Sequence, residues 1–131
     1  MHIKSINLID CAASRDYSLN ELDYSELNTN IQFSSNEETT NPRWNHIVSI
    51  FVTIVGTPHN QKDTINVFTL ALKYGVQAET PSDEIMPNLI IALWPIIRQT
   101  IDHKYYEFGM TDPNLPYELD IEKFSRLNDN E

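Results

Sequence analysis

Two consecutive stretches of this chain carry apolar residues at both parities, and that restricts the fold more than any other feature. They are residues 43–56, RWNHIVSIFVTIVG, and residues 63–78, DTINVFTLALKYGVQA. Successive side chains of a β-strand point to opposite faces. In the first stretch Trp44, His46, Val48, Ile50, Val52 and Ile54 share one face, while Ile47, Phe51 and Val55 lie on the other with Ser49 and Thr53. In the second, Phe68, Leu70, Leu72, Tyr74 and Val76 share a face, and Ile65, Val67, Thr69 and Ala71 share its opposite. Neither strand has a fully polar face, although a sheet in a small monomer usually has one. Two arrangements meet that demand. Helices cover one face and a loop the other, or a second subunit or apolar ligand covers the remainder. The connection TPHNQK carries Pro58 and Asn60 and reads as a hairpin.

Upstream, residues 27–34 alternate cleanly. Leu27, Thr29, Ile31 and Phe33 point one way, and Asn28, Asn30, Gln32 and Ser34 the other, a strand with one wet face. Residues 35–42, SNEETTNP, form a polar loop by composition. Within residues 3–19 the alternation slips, which predicts a strand with a bulge or break near Ala12-Ala13.

Downstream, the pattern turns helical. Ser82 is a candidate N-cap ahead of Asp83 and Glu84, and Pro87 fits only the first turn, so the helix starts between Ser82 and Met86 and spans about 83–106. Its length at 1.5 Å per residue is roughly 36 Å. Pro95 removes one backbone hydrogen bond and predicts a kink. Ile90, Leu93, Trp94, Ile97 and Ile101 form a stripe at three- and four-residue spacing, and Leu89, Ile91 and Ile96 widen it. A helix apolar nearly all round wants packing on more than one side, which predicts oligomerisation. Gly109 is a stop signal, residues 110–119 form a proline-bearing loop, and 120–127 read as a short amphipathic helix with Ile121, Phe124 and Leu127 inward.

Composition narrows the function classes. The 131 residues suit one domain, 1–131. Nine basic against 19 acidic residues give a net charge of −10. Such a surface repels phosphate backbones and anionic lipid and suits basic partners. Three Gly make a glycine-rich phosphate cradle untenable, and the single Cys11 excludes an internal disulfide or a multi-thiolate zinc site. The longest apolar run, Leu89 to Ile97, is far short of the roughly 20 residues of a membrane span. No secretory signal pattern opens the chain, so the expected location is the cytoplasm.

No catalytic constellation emerges. Cys11 sits beside Asp10, and an acidic neighbour raises a thiol pKa, so an inert cysteine is expected. His2, His46, His59 and His103 are scattered. His103 and Glu107 have i, i+4 spacing, which reads as a solvated helix-end pair before it reads as a ligand pair. The sequence therefore points away from an enzyme and implies no cofactor and no metal. Its aromatic residues read as core, and aromatics in a sheet with surplus apolar surface also form grooves for extended peptide.

The segment Leu93-Trp94-Pro95-Ile96-Ile97-Arg98-Gln99, followed by Phe108-Gly109 and then Pro113-Asn114-Leu115-Pro116, resembles the SecB family of export chaperones. Arg15-Asp16-Tyr17-Ser18-Leu19 looks like the segment basic-Asp-apolar-Ser-apolar of that family's first strand. The resemblance implies an α+β fold: a four-stranded antiparallel sheet followed by a long kinked helix and a short C-terminal helix. It also implies a homotetramer, a dimer of dimers, that holds unfolded client polypeptides in apolar grooves without ATP. On that basis Phe33, Phe51, Phe68, Leu72 and Tyr74 are candidate peptide-binding residues. Leu89, Leu93, Trp94, Ile97 and Ile101 are candidates for the oligomer interface, so that Trp94→Glu should break the assembly. The family's acidic sheet face docks the basic tail of the translocase motor SecA. Asp16 is the candidate residue for that contact, but Asn20 and Leu70 stand where further carboxylates are expected. Holding clients is thus a firmer expectation than SecA-linked export. The other expectation is an interaction module for one defined partner, such as a toxin or antitoxin tail.

Overall fold

The computed structural model describes residues 2–20, 23–79 and 88–110. Its elements are β1 (His2–Arg15), β2 (Tyr24–Glu37), β3 (His46–Pro58), β4 (Ile65–Glu79) and α1 (Asn88–Glu107). The strands form one antiparallel sheet in the order β1-β4-β3-β2, with α1 following in sequence. The hairpin between β3 and β4 turns at Asn60, whose φ of 65° is the left-handed conformation that Asn tolerates better than most residues.

The sheet is two-faced, and parity decides which side chain goes where. Val48, Ile50, Val52 and Ile54 of β3 are buried, as are Phe68, Leu70, Leu72, Tyr74 and Val76 of β4. These two sets are register neighbours: Ile50 faces Leu72, Val52 faces Leu70 and Ile54 faces Phe68. Together with Leu89, Ile90, Leu93, Trp94, Ile97, Ile101 and Tyr105 of α1 they make one core. Aromatic edges join sheet to helix, Phe33 on Trp94 at 6.1 Å and Phe68 on Tyr105 at 5.7 Å between centroids. Such edge-to-face pairs add about 0.5–1.5 kcal/mol beyond burial. The Tyr74 hydroxyl donates to Thr100 Oγ1, and Thr100 in turn donates to the Ile96 carbonyl.

The apolar stripe of α1 is therefore accounted for inside the subunit. Leu89, Leu93, Trp94, Ile97 and Ile101 pack into this core, so the residues expected at an oligomer interface are the sheet's own cover. The moderately apolar opposite side of α1 keeps Ile96 and Tyr106 exposed. The helix continues through Pro95, which lies on that exposed side. It ends at Glu107 and is capped by Gly109, whose φ of 74° lets Met110 N–H reach the Tyr105 carbonyl and Gly109 N–H the Tyr106 carbonyl. His103 and Glu107 form the solvated pair expected at the helix end, with Nε2 and Oε1 2.7 Å apart.

The strand boundaries differ from the sequence reading in instructive ways. The slip in β1 is not at Ala12-Ala13, which pair regularly with Ala71 and Leu70. Irregularities fall between Ile3 and Ser5 and between Leu8 and Asp10, leaving Lys4 and Ile9 as extra residues. Each extra residue shifts the parity by one, so Ile3, then Ile6 and Leu8, then Cys11 and Ala13 all share the helix side. The strand also stops at Arg15, before Tyr17 and Leu19. β2 is longer than residues 27–34, because its outer rungs pair with the full length of β3. Trp44 lies outside β3. The candidate helix start at 82–86, the loop beyond residue 110 and the C-terminal helix at 120–127 fall outside the described residues.

Candidate functional site

The face of the sheet turned away from α1 is built from the other parity, and it is mostly small and uncharged. Four successive rungs cross all four strands. Asn30, Thr53, Thr69 and Ser14 form the first, with Ser14 and Thr69 hydroxyls 2.9 Å apart. Gln32, Phe51, Ala71 and Ala12 form the second. Ser34, Ser49, Lys73 and Asp10 form the third, and Asn36, Ile47, Gly75 and Asn7 the fourth. Trp44 lies over this last rung, because a Cβ at Gly75 would run into its indole. Asn45 fastens that crossing. Its side-chain amide donates to the Ala78 carbonyl at 2.8 Å and accepts from Ala78 N–H at 3.0 Å.

Phe51 is the one large aromatic standing up from those rungs, 43% exposed. Beside it opens a depression of about 380 Å³, lined among others by Ala71, Ser49, Lys73 and Asp10. The depression exists because Ala71 and Ser49 stop short while Phe51 and Lys73 do not. Among the described residues, other large apolar side chains are exposed elsewhere: Leu8 and Ile9 on the outer strand β1, Tyr17 just after it, and Ile96 and Tyr106 on α1.

The five residues expected to bind peptide separate sharply. Phe33, Phe68, Leu72 and Tyr74 are buried beneath α1, where the core accounts for them. Burial raises the Tyr74 phenol above its ordinary pKa of 10.0, against a smaller opposing effect of its bond to Thr100. Phe51 alone of the five reaches solvent on the open face. Parity alone could have made this division, once the covered face was known.

Asp16 follows β1 in an exposed turn. Its carboxylate accepts the Ser18 N–H at 2.8 Å, and hydrogen bonds from Ser18 hold its pKa below the ordinary carboxylate value. This role is local to the turn. Leu70 points into the core, so the fourth-strand position expected to carry a carboxylate does not belong to the open face at all. Cys11 is free and half-buried. Buried His46, in register with Glu37 and Val76, has no hydrogen-bond partner for Nδ1. Among the described residues no group of three or more His, Cys, Asp or Glu could hold a metal ion, and no helix is long and apolar enough to cross a membrane.

No family model matches the sequence, and no curated protein matches it. Among solved structures, the chain is similar to the Mycobacterium tuberculosis Rv1957 SecB-like chaperone, which was solved in complex with a ChAD peptide from the Rv1956 HigA1 antitoxin. The similarity covers 91% of this chain and 88% of that one, with a TM-score of 0.57 and 15% sequence identity. At that identity the likeness is one of fold: this chain has the fold of a SecB-like chaperone.

Proposed function

We propose that this protein is a SecB-like, ATP-independent polypeptide-binding module that holds unfolded clients in the cytosol and has no enzymatic turnover. The observation that carries this reading is the fold likeness to a SecB-like chaperone over nearly the whole chain. Client holding needs exposed apolar surface on a soluble frame, and Phe51, Leu8, Ile9, Ile96 and Tyr106 supply it here. Assembly as a homotetramer belongs to the same proposal. Its contact surface would be the outer side of α1, around Ile96 and Tyr106, in place of the buried stripe.

A second reading has its own support. The similar chaperone was solved with an antitoxin peptide, and the exposed apolar surface here is modest and divided. A module serving one defined partner, such as an antitoxin tail, needs no more than that. Docking of SecA draws less support, because the open face carries few carboxylates.

Light scattering with an aggregating client decides between them. Suppression at a stoichiometric amount of protein with several unrelated clients supports the holding chaperone. No suppression, with tight binding to one peptide, supports the single-partner module. Sedimentation at a mass of four subunits supports the assembly, and a clean monomer removes it.

A further inference from the structure

We draw no further inference here: the strongest candidate, the outer edge of β2, which runs from Leu27 to Asn36 without a charge, a proline or a bulge, carries nothing because no feature of the structure shows what covers it.

Discussion

Ile50 and Phe51 are neighbours in β3, yet one is 1% exposed and the other 43%. The whole sheet divides the same way. On the face beneath α1, branched aliphatic and aromatic side chains interlock at full burial. On the other face, short hydroxyl, amide and alanine side chains leave the Phe51 ring standing, with the Trp44 indole over the last rung. The difference teaches that the apolar character at both parities has two separate causes. One parity is the core. The other is a sparse surface whose apolar members, Phe51, Ile47, Val55 and Trp44, are spaced among polar ones.

That contrast can be broken most violently at Trp94. It is fully buried against Phe33, so Trp94→Glu places an unpaired charge in the core at a cost of several kcal/mol. The subunit should unfold, as read by circular dichroism in denaturant. A folded variant that merely changed oligomeric state would mean that α1 does not cover this face. A smaller effect is expected at Gly75. There Gly75→Ala must push Trp44 off the open face, at about 1–3 kcal/mol, and tryptophan fluorescence should shift as the indole moves. Phe51→Ser should leave stability within about 0.5 kcal/mol of the parent, because half-exposed surface residues contribute little. A large loss of stability on chemical denaturation would show that this ring is core after all.

The smallest effect concerns the rim. Lys4 pairs with Glu79 at 2.6 Å, and this hydrogen bond and charge lower the Glu79 pKa from its ordinary 4.5. A carboxyl lowered in the folded state contributes stability above its unfolded value, and loses it as the pH falls through the folded value. Both groups are exposed, so the effect is slight. Melting temperatures taken from pH 7 down through the acid range should fall less steeply in Lys4→Ala than in the parent.

Much of the fold was legible in the residues. The order of four strands and a helix, the parity of β2, the hairpin at Asn60 and the stop at Gly109 followed from alternation, turn chemistry and the absence of a Cβ. What was not legible came from tertiary geometry. A sequence reveals that Phe33, Phe51, Phe68, Leu72 and Tyr74 are apolar on strands, but not which face receives the helix. Likewise the breadth of the apolar helix surface suggested a second copy, whereas a four-stranded sheet proved wide enough to bury most of it. The slip in β1 was visible as a loss of alternation, but its position was set by pairing with β4. Only the partner strand reveals which residue is extra.

Ile9 deserves a last consequence of this kind. It is surplus to the ladder, opposite no residue of its own in β4. Shortening the chain by this one residue would leave Leu8 and Cys11 facing the helix and Asp10 facing water, as now. Removing Ala12 instead would turn Ala13 and Arg15 over, and would pull the Arg15 guanidinium away from the Phe108 carbonyl that it reaches at the end of α1. Of two single-residue deletions three positions apart, one is silent in the architecture and the other removes a polar tie between β1 and the end of α1.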